Sequence, residues 1–247
     1  MHKVPRITRL NRSAVSTGRS LQHPYACQAQ GAPEVKIGIL AVQGDFAAHA
    51  ARLSELGAES VEVRTVADLE GCDGLILPGG ESTTQLQFLK EEGLFEALKK
   101  FAVQGGVLFG TCAGAILLAT EVNNPAQASL SLLDITVLRN AYGRQMASDV
   151  FFGSSKLTDA PLEMVFIRAP VIGRVGLGVE VLAEYAGKPV LVKQGNVMAA
   201  TFHPELSQDT AVHRRFLDLV EASPKKSASV GERGLGMSGQ ETAVRSS

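Results

Sequence analysis

The run Gly105-Gly106-Val107-Leu108-Phe109-Gly110-Thr111-Cys112-Ala113-Gly114-Ala115-Ile116-Leu117-Leu118 narrows the available folds more than any other stretch of the chain. Residues 107–109 read as a short, fully buried strand, and residues 113–118 open an apolar helix. One cysteine stands between them, walled by small residues. This G-x-C-x-G spacing is the cysteine form of a nucleophile elbow, a sharp strand-to-helix turn that lifts one side chain off the end of a sheet. Gly110, Ala113 and Gly114 suit a backbone that doubles back on itself, where larger side chains would collide. A helix start also offers unpaired N–H groups and partial positive charge, which favour a thiolate and can hold an oxyanion. Taken alone, the same pattern equally fits a buried cysteine beside a tight turn, because free cysteine often packs as a small hydrophobe.

The rest of the chain agrees with an α/β setting for such an elbow. Apolar residues make up 45% of the 247, aromatics only 5%, and Trp is absent, so the core must be aliphatic. Parallel strands covered by helices on both faces are built that way. Residues 35–42 (VKIGILAV), 60–63 and 74–77 (GLIL) read as strands, with a helix between the first two carrying Phe46, Ala50, Leu53 and Leu56 on one face and ending at Gly57. Asp45 stands where an N-cap belongs. His49 rides on this helix and is expected as a packed or solvated side chain rather than a ligand. Strand–helix alternation from the outset predicts a doubly wound, mostly parallel mixed sheet. The second half (135–139, 151–152, 164–167, 179–183, 190–193 and 197–202) has a more antiparallel look, with hairpin turns expected at Gly187-Lys188 and Gly195-Asn196. A last helix places Val212, Phe216 and Leu219 on one face.

The two ends differ from this middle. Residues 1–33 hold five basic residues (Lys3, Arg6, Arg9, Arg12 and Arg19), no acidic residue and no apolar periodicity. Lacking an apolar stretch, residues 1–34 do not read as a secretory signal. A transit peptide fits their composition; a disordered arm, or a start codon placed upstream of a true beginning near Val35, is the preferred reading. Residues 223–247 are rich in Ser, Gly and Lys and read as a disordered tail. The G-x-G-x-x-G match at 234–239 has no strand before it and no helix after it, so it reads as chance. The domain-sized middle is thus 35–222. A net charge of −1 signals neither nucleic acid nor membrane as partner, and no run is long and apolar enough for a transmembrane helix. Cys27, Cys72 and Cys112 form no C-x-x-C pair, so neither a disulfide framework nor a zinc site is expected, and a cytoplasmic location is the default.

Two further signals sit at predicted strand ends. Pro78-Gly79-Gly80-Glu81-Ser82-Thr83-Thr84-Gln85 follows the third strand, on the edge where open α/β sheets bind ligands. Ser82 and Gln85 have capping-box spacing, yet a cap does not account for two adjacent glycines, whose bare N–H groups suit an anion. His203-Pro204-Glu205 closes the last strand. In an extended segment, residues i and i+2 point the same way, so Glu205 can fix the His203 tautomer while the other ring nitrogen faces Cys112.

With Cys112 and the distant His203 and Glu205, the chain resembles class I (triad) glutamine amidotransferases, whose fold is flavodoxin-like. Leu40-Ala41-Val42-Gln43-Gly44-Asp45-Phe46, Leu77-Pro78-Gly79-Gly80-Glu81-Ser82-Thr83-Thr84, Arg139-Asn140, Tyr142-Gly143-Arg144-Gln145, Phe166-Ile167-Arg168-Ala169-Pro170 and Phe202-His203-Pro204-Glu205-Leu206 are similar to the glutaminase subunit of pyridoxal 5′-phosphate synthase, the PdxT/SNO family. The resemblance makes 35–222 a glutaminase domain and implies Cys112 as nucleophile, His203 as general base and acid, and Glu205 as orienting carboxylate. It implies an oxyanion hole from the backbone of Gly80 and Ala113, and glutamine-binding positions at Gly80, Glu81, Ser82, Arg139, Ile167 and Arg168. No cofactor or metal is implied. The implied partners are L-glutamine and a (β/α)8-barrel synthase subunit of the PdxS/SNZ family in a hetero-oligomer. That barrel would join the released ammonia to ribose 5-phosphate and glyceraldehyde 3-phosphate. The resemblance further suggests that the Gln43-Gly44 loop completes the oxyanion hole only when the partner docks. The rival readings are a glutaminase serving another synthase, a cysteine hydrolase on the same fold, and a catalytically silent interaction subunit.

Overall fold

The computed structural model describes residues 35–140 and 148–223. The extension at 1–34, the tail beyond 223 with its glycine match, and the Tyr142-Gly143-Arg144-Gln145 stretch lie outside the described residues. The first half alternates as its periodicity predicts: β1 (Lys36–Leu40), α1 (Phe46–Glu55), β2 (Glu59–Val63), β3 (Gly74–Leu77), α2 (Ser82–Glu91), α3 (Leu94–Val103), β4 (Val107–Thr111) and α4 (Ala113–Leu118). The second half holds β5 (Ala119–Asn123), β6 (Leu133–Leu138), β7 (Ser148–Gly153), β8 (Leu162–Ile167), β9 (Val171–Val175), β10 (Glu180–Tyr185), β11 (Lys188–Gln194), β12 (Val197–Ala200) and α5 (Ala211–Ala222).

The main sheet runs β10-β11-β12-β4-β3-β1-β2. Every pair from β12 to β2 is parallel, and β10 and β11 add an antiparallel margin. The parallel part follows the flavodoxin-like order 2-1-3-4-5, with β12 in fifth place. Alternate residues of each strand feed two cores. Leu75, Leu77, Leu108, Val197 and Ala199 pack toward α2, α3 and α4, while Ile76, Val107, Phe109, Met198 and Ala200 pack toward α1 and α5. This is the two-sided burial that a β-rich, aliphatic, nearly unbroken apolar run requires. At the margins, β2 carries exposed Glu59 and Glu62, and Ser155 bridges to Ala183 along the outer side of β10.

Several local expectations change. β5 and β9 were not evident in the sequence: the first is half polar and the second is interrupted by Gly173 and Arg174, so only pairing with β6 makes them strands. The β10–β11 turn is Ala186-Gly187, one residue earlier than expected. Tyr185 pairs with Lys188, and both turn residues have positive φ (50° and 71°), as a two-residue type I′ hairpin requires. Asp45 occupies the N-cap of α1 without a side-chain cap; its carbonyl alone accepts from Ala48 and His49. At α2 the cap is Glu81, whose carboxylate accepts from the Thr84 N–H at 2.9 Å, and not the expected Ser82–Gln85 box.

Candidate active site

The order of the parallel strands reverses beside β1, and the loops after β1 and β3 meet at that switch point, where a crevice is topologically required. Gln43 and Gln85 tie these loops together. The Gln85 side chain is buried, and its Nε2 donates to Pro78 O (3.1 Å), Gly79 O (3.3 Å) and Gln43 O (3.3 Å). Gln43 Oε1 in turn accepts from the Glu81 N–H at 3.4 Å. Gln85 thus has a bracing role that a capping-box reading did not foresee.

β4 ends at Thr111, and Cys112 makes the turn into α4 with φ 48° and ψ −99°, a strained conformation for a residue bearing a side chain. Its N–H is held by Ala200 O of β12 at 2.8 Å. The flanking glycines are needed for contact. A Cβ on Gly110 would stand 2.5 Å from the Gly114 carbonyl carbon, and one on Gly114 would overlap the Leu77 carbonyl of β3. Ala113 is the first residue of α4, so its N–H has no intrahelical acceptor. The Cys112 sulfur lies 4.0 Å from Ile167 O at the end of β8.

His203 reaches Cys112 from the far end of the chain. Its N–H donates to Val165 O of β8 at 2.8 Å, and its ring lies against Gly79, where a Cβ would overlap it. Gly79 therefore makes room for the imidazole, a different use from the anion cradle expected of the glycine pair; Gly80, with φ 146°, remains exposed beside the crevice. Pro204 does not hold an extended segment. It begins a short 3-10 turn, Pro204–Leu206, and that turn swings Glu205 back under the histidine. His203 Nδ1–H donates to Glu205 Oε1 at 2.8 Å, and the ring stands close enough to the Cys112 sulfur for the two to interact. Burial alone would lower the His203 pKa, but its interactions with Cys112 and Glu205 and the negative charge of both carry it up to about 10. The three groups lie in line, with the imidazolium favoured between a sulfur and a buried carboxylate. Such a line can transfer a proton to and from the sulfur and its reaction partners.

The other predicted residues ring this line unequally. Arg139 Nη2 reaches Thr83 Oγ1 at 3.2 Å and Glu81 Oε1 at 3.4 Å, placing guanidinium and carboxylate together at the start of α2. Burial would raise the Glu81 pKa, but bonds from the Thr84 and Thr83 N–H and hydroxyl groups draw it below the usual carboxylate range. Ser82 is buried, and its hydroxyl donates to Gln127 Oε1 at 3.0 Å, a partner the sequence did not single out. Arg168 is exposed, with φ 44°. His49, expected as packed or solvated, is packed, and His213, which the sequence did not single out, joins it: both are fully buried beneath Glu205. Among the described residues no group of three or more His, Cys, Asp or Glu side chains can hold a metal ion, and no helix is long and apolar enough to cross a membrane.

Comparison with known proteins bears on this geometry. A model of the SNO glutamine amidotransferase family matches residues 39–222. A Koribacter versatilis protein named pyridoxal 5′-phosphate synthase subunit PdxT is 55% identical over 186 residues, covering 75% of this chain and 96% of its own length. The Deinococcus radiodurans protein of the same name is 53% identical over 188 residues, covering 74% and 96%. A crystal structure described as a glutamine amidotransferase superposes with a TM-score of 0.71 at 48% identity, over 75% of this chain and 98% of that one. The structure of PurLQS from Thermotoga maritima, 17% identical with a TM-score of 0.55, covers 75% of this chain and 99% of its own and shares the fold.

Proposed function

The chain belongs to the SNO glutamine amidotransferase family, and from that premise we propose that it is the glutaminase subunit of a pyridoxal 5′-phosphate synthase. It hydrolyses L-glutamine to L-glutamate and hands the ammonia to a synthase subunit of the PdxS/SNZ family. The observation that carries this reading is the meeting of Cys112, turned out on its strained elbow, with His203, which is bonded to buried Glu205, at the switch-point crevice.

The proposed chemistry uses each group once per half-reaction. Cys112, its proton on His203, attacks the side-chain amide carbon of glutamine, and the carbonyl electrons move onto oxygen. The N–H groups of Gly80 and Ala113 hold that oxyanion; donors of this kind contribute about 2.7–4 kcal/mol each. His203 gives its proton to the departing nitrogen, ammonia leaves, and a thioester remains. A water then yields its proton to His203 and attacks the thioester, releasing glutamate and returning the sulfur as thiolate. Glu205 keeps Nδ1–H fixed throughout. Arg139 and Arg168 supply guanidinium groups for the substrate's carboxylate, Glu81 matches its ammonium, and Ser82 and Ile167 complete the glutamine site.

Ammonia released into water would be protonated and lose its lone pair, which favours direct transfer to a (β/α)8-barrel synthase that combines it with ribose 5-phosphate and glyceraldehyde 3-phosphate. The tie between Gln43 and Glu81 supports a role for the Gln43-Gly44 loop in coupling partner docking to the oxyanion hole. Residues 35–222 form the proposed catalytic unit, with 1–34 and 223–247 as extensions, and the cytoplasm is the proposed compartment. The test is glutamate release by the full chain with and without the synthase subunit. Turnover that rises on adding the synthase is expected, and no glutamate in either case overturns the reading.

A further inference from the structure

Beneath the three groups in line lies a layer that the proposed chemistry leaves unused. His49 on α1 and His213 on α5 have no exposed surface. His49 Nδ1 lies 2.9 Å from His213 Nε2, and His49 Nε2 lies 3.2 Å from Thr111 Oγ1 and 3.4 Å from Glu205 Oε2. Glu205 gives its other oxygen to His203, and Oε2 accepts no hydrogen bond among the described residues.

The contacts select one arrangement of protons. If His49 donated from Nδ1, the bare lone pair of Nε2 would face a carboxylate oxygen, and His213 would bury an N–H at Nδ1 with no acceptor. With His213 donating from Nε2 to His49 Nδ1, His49 carries its proton on Nε2, which meets Thr111 Oγ1 at 3.2 Å and stands 3.4 Å from the unpartnered Glu205 Oε2. Only an acceptor at His213 Nδ1 is then left over, and buried acceptors go unpaired more readily than buried N–H groups. Both rings are held neutral. Burial, then the charges of His213 and His203, keep the His49 pKa well below its usual value; burial, then Arg52, take His213 down to about 3. Neutrality matters here, because a second imidazolium at position 49 would compete with His203 for the same carboxylate.

We propose that His49, itself oriented by His213, is a positioning residue for the reaction, presenting Nε2–H to Glu205 Oε2 so that the carboxylate stays turned toward His203. The triad becomes the outer part of a longer chain of groups, His213–His49–Glu205–His203–Cys112. This inference rests on the triad assignment above. Around His49 stand His213, His203, Glu205, Thr111 and the edge-on ring of Phe109; around His213 stand His49, Phe109 and Arg52.

The test compares wild type, His49→Leu and His49→Gln as full chains. Glutamate release with the synthase subunit is followed at limiting and saturating glutamine from about pH 6 to about pH 10.5, bracketing the ordinary and raised His pKa values. Alkylation of Cys112 by iodoacetamide is followed over the same range. His49→Leu is expected to lower kcat by about 10–100-fold, the range seen when a partner orienting a reactive ligand is removed. Its KM should stay within about twofold, because His49 does not touch the crevice. The alkaline limb, expected near 10 in wild type, should move down by about one pH unit, the scale of one contact to a charged group. His49→Gln restores an N–H donor and should recover most of kcat and the limb. An unmoved limb in His49→Leu, or a Gln variant as impaired as the Leu variant, overturns the proposal. Should Leu leave the protein unfolded by near-ultraviolet circular dichroism, His213→Gln carries the test, with a several-fold lower kcat and the same limb shift expected; an unmoved limb again overturns it. Alkylation reads the Cys112–His203 couple whatever the substrate. A wild type whose Cys112 alkylates but that releases no glutamate breaks the glutaminase reading alone, whereas normal turnover with an unmoved limb in the variants breaks the relay alone.

Discussion

The sheet has two covered faces, and they are made of different materials. Toward α2, α3 and α4 the core is almost wholly Leu, Val, Ile and Ala. Toward α1 and α5 it holds Phe109, Phe202 and Phe216, and next to them the buried His49, His213 and Glu205. An aliphatic face stabilises by area and close packing alone, with no polar group to satisfy. The aromatic face must also satisfy ionisable groups in a low-dielectric interior, which is costly unless each one is paired. The comparison indicates a division of labour: one face contributes mainly stability, and the other holds the groups that set the proton inventory of the site.

Substitutions can break that division. Cys112→Ala, at the rim shared by both faces, should abolish glutamate release and iodoacetamide uptake at the site while the unfolding midpoint barely changes; retained turnover would remove the nucleophile assignment. Glu205→Gln on the aromatic side should cost roughly 10³–10⁴-fold in kcat, the scale for losing the orienting carboxylate of a triad. It should also lower the His203 pKa, which rests partly on the Glu205 bond and charge. A loss confined to KM would contradict the orienting role. Leu98→Ala on the aliphatic side should cost about 2–5 kcal/mol of stability as a cavity opens. The folded fraction should keep its turnover number, and a parallel loss of kcat would show that the faces are coupled.

The smallest expected effect concerns pH. His213, and His49 with it, has a folded-state pKa below its unfolded value, so the unfolded chain binds more protons and stability is lost as pH falls below about 6.5 toward about 3. His203 is displaced the other way. Its contribution is complete below about 6.5 and is lost as pH rises through about 10. Thermal midpoints should therefore be highest near pH 6.5. His213→Gln should flatten the descent between about pH 6.5 and 5, before most carboxylates titrate, and on the alkaline side only bring the descent to its end earlier, by the same pH unit as the kinetic limb. An equal flattening on both sides would mean that the titrating groups were misassigned.

Much of this was legible in residue order. The elbow is local, since G-x-C-x-G dictates its own backbone, and β1 past Lys36 and β3 at 74–77 are continuous apolar runs. Other features depend on partners distant in sequence. β5 and β9 become strands only by pairing with β6. Glu81 takes the cap from Ser82 because Ser82 turns inward to Gln127. Pro204 suits the first position of a 3-10 turn as well as it suits an extended segment, so its presence did not decide between them. His49 and His213 did leave a trace: each lies at helical spacing from buried apolar residues, Leu53 in one case and Phe216, Leu217 and Val220 in the other. That spacing says such a side chain is buried, but not what it meets.

The open sheet has two margins, and both are guarded. On β2, Glu59 and Glu62 project into solvent; along β10, Glu180 and Glu184 do the same, and the segment at Ser155 and Lys156 lies across the strand, with Lys156 N–H bonded to Leu182 O at 2.8 Å. Two copies meeting edge to edge would press carboxylates against carboxylates or find the ladder already taken. The fold thereby resists the fibrous self-association to which unprotected strands are prone.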